Sequence, residues 1–462
     1  MQRTMQSTFK RISIIAACVL SLLGGAVLAA PPNFVIIFTD DQGYADLSCF
    51  GSKEIRTPNI DRMAEEGRKF TSFYVASSIC TPSRAGLLTG CYPKRIQMAK
   101  GVLFPHSQHG LHPEEVTIAD LLKTADYATA AIGKWHLGNQ PSFLPTRQGF
   151  DSYFGIPYSN DMKHPDDKNK PWGLWDEAWA DPETYIKDFN TPLMRDEAII
   201  ECPVDQRLIT RRYTDEAIQF IETNKERPFF LYLAHSMPHV PLFVPDELRD
   251  PDVKNAYTHV IEHIDAETGR LLDSIRSLDL AENTYVIFTS DNGPWTQHKH
   301  HAGKAHPLRG SKGTSYEGGY RVPCVMWAPG RIPAGTETDA IAATIDLLPT
   351  IASLAEVELR TRGPIDGLDI RELILGADAS PRNEMLFYTG QGILSGYRQG
   401  EYKLVRAQPD KAFQLFNLTE DIGEQTNLMV ALPEKAAALK AQMITLDQQL
   451  HAEARPHGTI QP

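Results

Sequence analysis

At 462 residues, with 42% hydrophobic and 23% charged side chains, the chain can bury a large core and has the composition of a soluble globular protein. It carries no internal repeat and no low-complexity tract. A net charge of −12 without an offsetting basic stripe argues against a nucleic-acid partner, so an anionic substrate has to be met by a local cluster of cations.

The N-terminus reads as an export signal. Arg3, Lys10 and Arg11 precede the apolar run "ISIIAACVLSLLGGAVLAA", and the small residues of 27–30 suit cleavage, which assigns 1–30 to a signal peptide. Two alternatives stay open. "IAAC" ending at Cys18 resembles a lipoprotein box behind a rather short apolar run, and an uncleaved anchor is opposed by Gly24-Gly25. No later stretch is apolar and long enough to span a bilayer, so the mature protein is expected to be periplasmic or secreted, without stable membrane insertion. Of the six cysteines, Cys18 leaves with the signal, and Cys49, Cys91, Cys202 and Cys324 lack metal-ligand spacing. These four read as thiols or at most one bridge. Cys80 stands apart because of its neighbours.

Further along, "NFVIIFTDD" (33–41), "YATAAIGKWH" (127–136), "PFFLYLAHS" (228–236), "TYVIFTSDNG" (284–293) and "VPCVMWAPG" (322–330) read as buried strands. Between them, 57–70, 117–125, 211–224 and 256–275 have helical apolar spacing. The alternation predicts an α/β sheet covered by helices on both faces, with ligands just outside the strand ends. Segment 157–205 is rich in Pro, Trp, Asp and Lys, lacks clear periodicity, and reads as a long insertion near the site. Residues 31–355 are assigned to a catalytic domain and 356–462 to a small C-terminal α+β subdomain. The latter holds strands at 396–407 and 411–418 and a helix at 433–452.

Charged residues gather at those strand ends. Asp40-Asp41 follow the first strand, and Asp291-Asn292 follow another. Either pair alone reads as turn or cap residues. Two pairs converging from neighbouring strands would make a hard oxygen site for Ca²⁺, with Mg²⁺ the second choice, and argue against zinc. "GKWHLG" places Lys134 and His136 after a third strand, on one face if the segment stays extended. "SMPHVP" gives His239, and "RGSKGTSYEGG" gives Lys312 in a Gly-rich loop whose N–H groups can cradle a tetrahedral anion. With Arg84, this inventory suits transfer of a sulfuryl or phosphoryl group, where catalysis is charge neutralisation and positioning.

"CTPSRAGLLTG" and "DYATAAIGKWHLG" resemble the two signatures of the type I sulfatases, and "FTDDQG", "GIPYSNDM", "SMPHVPLF", "SDNGPW" and "LRGSKGTSYEGGYRVP" follow in that family's order. The likeness covers essentially the whole mature chain and is strongest to the arylsulfatase A and N-acetylgalactosamine-6-sulfatase branch. It implies the alkaline phosphatase superfamily fold, a large mixed α/β sheet. It also implies that Cys80 is a precursor: a maturation enzyme oxidises it to formylglycine, whose hydrate has two hydroxyls. One hydroxyl attacks sulfur and the other expels sulfate, a second exit that serine lacks. By matching motif, Asp40, Asp41, Asp291, Asn292 and an oxygen of modified Cys80 would hold calcium. Asp291 would take the nucleophile's proton, Arg84 orient the diol, and Lys134 and Lys312 neutralise sulfate oxygens. His136 would accept the proton as the hemiacetal collapses, His239 with Lys312 would protonate the leaving alcohol, and Ser159 would hydrogen-bond near the nucleophile. His235 reads as structural.

Two other functions remain open on sequence: a formylglycine-dependent phosphodiesterase or phosphonate monoester hydrolase, and a non-catalytic binder of sulfated glycans if Cys80 stays unmodified. For the substrate, a sulfated saccharide is expected. The basic loop 295–310 is expected to reach it through His301 and Lys304 or His306, with Trp172 or Trp175 stacking on the sugar.

Overall fold

The computed structural model describes residues 30–162 and 173–460. The export signal up to residue 29, Cys18 and Trp172 lie outside the described residues. Eleven strands form one mixed sheet among the described residues. Its centre is a run of parallel strands in the order Thr284–Ser290, Asn33–Thr39, Phe229–Ala234, Ala128–Gly133 and Ser152–Gly155. Arg321–Trp327 runs antiparallel to Thr284–Ser290, and Arg68–Tyr74 runs antiparallel to Arg321–Trp327. Arg68–Tyr74 therefore points the same way as the parallel centre.

Strand alternation divides the core in two. Phe34, Ile36 and Phe38 face one cluster, and Val35 and Ile37 face the other. Helices Cys80–Thr89, Ile118–Lys123 and Leu347–Leu354 close the first face; Pro58–Glu66, Ile209–Asn224 and Ala256–Ser277 close the second. Both faces are buried, which is why the central strands read as continuous apolar runs.

Three local expectations change. The helix expected over 57–70 stops at Glu66, and the chain turns at Gly67 into the strand Arg68–Tyr74, whose apolar residues had seemed to prolong the helical pattern. Segment 157–205 contains helices Trp175–Ala180 and Pro182–Phe189 and the strands Leu193–Arg195 and Ala198–Glu201, which extend the main sheet past Ser152–Gly155. Short edge strands with one solvated face carry little periodic signal. The C-terminal sheet has four antiparallel strands, Glu384–Tyr388, Leu394–Gln399, Tyr402–Val405 and Gln414–Asn417. The stretch 396–407 is thus a hairpin rather than one strand. Helix Pro433–Ala452 covers this sheet and buries Ala436, Leu439, Met443 and Leu450 in the first core cluster.

No helix among the described residues is long and apolar enough to cross a membrane. Among the described residues, no disulfide joins Cys49, Cys80, Cys91, Cys202 or Cys324, so the bridge left open on sequence is not formed.

Candidate active site

The parallel strands end on one edge of the sheet, and each delivers its next residues there. Asn33–Thr39 delivers Asp40 and Asp41, Thr284–Ser290 delivers Asp291 and Asn292, and Ala128–Gly133 delivers Lys134 and His136. Phe229–Ala234 leads to His239, and Ser152–Gly155 to Ser159. Arg68–Tyr74 ends on the same edge and leads into helix Cys80–Thr89, with Cys80 in its first turn. Arg321–Trp327, running the other way, starts there, so the loop before it brings Lys312. This loop is tied down by Lys312 N–H to Pro294 O at 3.0 Å and Gly313 N–H to Ser78 O at 2.8 Å.

All ten residues of helix Cys80–Thr89 are buried. The Cys80 thiol lies 3.4 Å from Asp40 Oδ1. Burial, and then the Asp40 charge, push that thiol well above its ordinary range. As a thiol it is a poor nucleophile. Thr81 fixes the helix start by donating to His136 O at 2.9 Å and accepting from Leu103 N–H at 3.1 Å.

Three carboxylates and three cations interlock around Cys80. Arg84, fully buried, donates from Nε and Nη2 to Asp291 Oδ2 at 3.1 and 2.8 Å and from Nη1 to Lys134 O at 2.9 Å. Its Nη2 also lies 3.6 Å from Asp40 Oδ2. Lys134 Nζ bonds Asp40 Oδ2 and lies 3.1 Å from Ser159 Oγ. Lys312 Nζ reaches both oxygens of Asp41, at 2.7 and 2.8 Å. Burial raises the Asp291 carboxyl to about 7, aided by Asp40 and opposed by Arg84. Asp40 is held well below the usual range because the charges of Lys134, Arg84 and Lys312 together outweigh its burial.

Both histidines have one nitrogen committed. His239 Nδ1 lies 2.7 Å from Val240 O, so that nitrogen carries the proton and leaves Nε2, 3.6 Å from Asp41 Oδ2, toward the site. His136 Nε2 donates to Leu103 O at 2.9 Å, leaving a buried Nδ1 with no partner. Burial and then a neighbouring lysine, Lys134 for His136 and Lys312 for His239, hold both well below the ordinary imidazole value, so both are neutral. The expected alternation of Lys134, Trp135 and His136 fails in detail. Gly133 has φ 111° and His136 φ 58°, so the segment turns rather than extends. A Cβ on Gly133 would sit 1.8 Å from Ala234 O, so only glycine fits this turn. Lys134 and His136 still reach the site, while Trp135 Nε1 donates to Phe143 O at 2.7 Å in the core.

A cavity of about 760 Å³ opens above Cys80, with His136, Ser159, His239 and Lys312 in its wall. Phe104, His106, Met162 and Trp295 add an aromatic and apolar rim, and Gly390-Gln391 come from the C-terminal sheet. None of these rim residues was singled out on sequence, although Met162 ends "GIPYSNDM" and Trp295 ends "SDNGPW": a motif marks a segment without saying which of its side chains turn to the cavity. The loop 295–310 is divided. Trp295 lies against His239, with ring centroids 5.4 Å apart, and under Lys312 Nζ at 4.3 Å. Lys304 and His306 instead line a separate cavity of about 620 Å³ with Asp46 and Tyr257, and Lys304 Nζ pairs with Glu54 at 2.5 Å. His301 is buried and bonded to Asp176 at 2.7 Å, and Trp175 is buried against Phe189 and donates to His298. The structure therefore does not bring His301, Lys304, His306 or Trp175 to the cavity above Cys80. His235 is buried against Tyr213 and lines no part of that cavity.

The donor set suits a hard divalent cation. One ligand atom each from Asp40, Asp41, Cys80 and His239 lie within 4.8 Å of one another, and Asp291 and Asn292 adjoin them. Asn292 donates its Nδ2 to Asp41 Oδ1 at 2.7 Å, and its Oδ1 is a buried acceptor with no partner. An oxygen left unsatisfied among carboxylates is costly unless a cation meets it.

A parallel-centred α/β sheet with a buried cysteine, oxygen donors and lysines at its strand ends defines a hydrolase of the alkaline phosphatase superfamily. The sulfatase family profile matches residues 32–357. Human arylsulfatase A is 37% identical over 94% of this chain and 91% of its own length. The dog N-acetylgalactosamine-6-sulfatase is 35% identical over 82% and 73%. The crystal structure of Ps i-CgsB in complex with k-i-k-neocarrahexaose superposes with TM-score 0.79 at 29% identity, covering 93% of this chain and 95% of that one. The chain belongs to the sulfatase family and is a sulfuric ester hydrolase.

Proposed function

We propose that this enzyme removes sulfate from a saccharide through a formylglycine made from Cys80, with Ca²⁺ held by Asp40, Asp41, Asp291 and Asn292. The observation that carries the reading is Cys80 itself, a buried thiol beside Asp40 and in the wall of the large cavity, poorly suited to act as a thiolate. Oxidised to the aldehyde and hydrated, this residue supplies a diol nucleophile. The cation supplies Lewis acidity toward that nucleophile and the sulfuryl oxygens. Asp40, Asp41 and Asp291 balance Arg84, Lys134 and Lys312 in charge, so a divalent cation leaves the site positive and attractive to an anionic ester.

The residues then divide the work. Arg84 fixes Asp291 through two hydrogen bonds, and Asp291 takes the nucleophile's proton. Lys134 and Lys312 neutralise sulfate oxygens, and Ser159 orients Lys134. His136 Nδ1, neutral and unpartnered, accepts the proton released as sulfate departs. His239, beside Asp41 and Lys312, passes a proton from Nε2 to the leaving alcohol, a proton that Nε2 first takes from water because the resting imidazole carries its own on Nδ1. A saccharide substrate is supported by the apolar rim of Phe104, Met162 and Trp295, and by the neocarrahexaose bound by Ps i-CgsB. Export by residues 1–30 and oxidation by a separate maturation enzyme complete the proposal.

The test combines three measurements. The mass of the peptide containing Cys80 should show sulfur replaced by oxygen with loss of two hydrogens. Metal analysis should find calcium that is lost in Asp40→Ala. Sulfate esters should turn over well above matched phosphate or phosphonate esters. An unmodified Cys80 in active enzyme, stoichiometric zinc at these carboxylates, or a preference for phosphonates would each overturn it.

A further inference from the structure

The central pair of the histidine-rich loop turns away from the cavity onto a single carboxylate. His300 Nε2 and His301 Nε2 lie 2.8 and 2.7 Å from the same oxygen, Asp176 Oδ1. Asp176 stands in the first turn of helix Trp175–Ala180, inside the insertion. Ligand atoms of the three residues lie within 4.8 Å of one another, which among the described residues sets this group apart from all others except the catalytic one.

The backbone is bent to make this possible. Consecutive side chains on a helix point about 100° apart and do not share a partner. Here Lys299, at φ 55° and ψ −116°, interrupts the helical turn just before the pair. The two imidazoles then stand 4.5 Å apart at 40° between their planes. A metal takes a neutral imidazole and an ionised carboxylate, so each ring would hold its proton on Nδ1 once Nε2 turns from Asp176 Oδ1 to the cation. The Asp176 side chain is 59% exposed while that of His301 is 2% exposed, so the group is anchored on one side and open to water on the other.

We propose that Asp176, His300 and His301 form a second metal site, separate from the catalytic centre, for a Zn²⁺-class transition cation. Two imidazoles and one carboxylate select against Ca²⁺ and Mg²⁺, and water completes a tetrahedron. Ligation at about 2.0–2.1 Å requires the present contacts to open by about 0.5 Å, within the reach of ring rotation. The cation would staple the insertion helix to the loop Thr296–His301. That loop leads straight to the cavity wall. Trp175 Nε1 donates to His298 Nδ1 at 2.8 Å, and the His298 ring lies 4.3 Å from that of Trp295. The site is therefore placed to fix Trp295 over Lys312 and His239.

The test uses the full chain carrying Cys80→Ala, so that the catalytic thiol cannot take up zinc, saturated with Ca²⁺. Zn²⁺ binding is followed by calorimetry and Co²⁺ binding by visible absorption, in this parent and with Asp176→Ala plus His300→Ala added. The parent should bind one equivalent of Zn²⁺ and give a four-coordinate Co²⁺ spectrum. The added substitutions should abolish this or weaken it at least tenfold, with calcium content and circular dichroism unchanged. His300→Ala alone, at a half-exposed position, should weaken Zn²⁺ in the same direction. No Zn²⁺ uptake by the parent, or equal uptake with and without Asp176 and His300, overturns the proposal.

Discussion

Replacing Arg84 with methionine should destabilise the protein by about 3–5 kcal/mol, the cost of stranding a buried charge. Arg84 and Asp291 are both 0% exposed and 2.8 Å apart, and two of the guanidinium nitrogens bind the same carboxylate oxygen. Methionine fills the volume beside Phe38 but leaves Asp291 facing Asp40 and Asp41 without its strongest counter-charge. Asp291→Asn should cost less, because Arg84 keeps Lys134 O at 2.9 Å and Asp40 at 3.6 Å. Combining the two removes both charges, so the double variant should lose about 3 kcal/mol less than the sum of the singles. Arg84→Lys keeps the charge without the fork and should fall between wild type and methionine. Urea unfolding followed by tryptophan fluorescence, in chelator so that only the side-chain pair is measured, reads all four. Additive singles, or an Arg84→Met cost below about 1 kcal/mol, would refute the claim that this pair holds the site together.

Cys80→Ser should fold normally yet lose multiple turnover of sulfate esters, because one hydroxyl gives no route out of a covalent ester; sustained turnover in steady-state assays would sink the formylglycine reading. Trp295→Ala should lower kcat/KM on a sulfated saccharide about tenfold more than on a small aryl sulfate, a loss in the range of one stacking contact. His306→Ala, in the separate cavity, should change neither, and a selective saccharide defect there would restore the loop residues to the substrate. Glu424, buried beside Glu317 and 3.1 Å from Lys403, is pushed up to about 7, chiefly by burial. A raised carboxyl costs nothing below its unfolded value near 4.5 and costs progressively more as pH rises to about 7, so thermal stability should fall over that window by a few kcal/mol. Glu424→Gln should flatten that fall; an unchanged pH profile would show that Glu424 does not titrate there.

The sequence by itself determined the central strands, the long helices and the residues at the strand ends. Runs such as "NFVIIFTDD" and "TYVIFTSDNG" are unbroken because both faces are covered, and polar residues end them where the sheet stops. The parallel order then brings Asp40, Asp291, Lys134 and His239 together with no further information. The tertiary structure alone decided what depends on loop paths and short edge strands. It placed Leu193–Arg195 and Ala198–Glu201 on the sheet edge and brought Gln391 from the C-terminal sheet into the cavity wall. It also divided the loop 295–310, sending Trp295 to Lys312, His300 and His301 to Asp176, and Lys304 to Glu54. Proximity in sequence fixes a loop's ends but not the direction of its side chains. One left-handed residue, Lys299, reverses that direction at no visible sequence signal, because its cost is offset by contacts made far away in the chain.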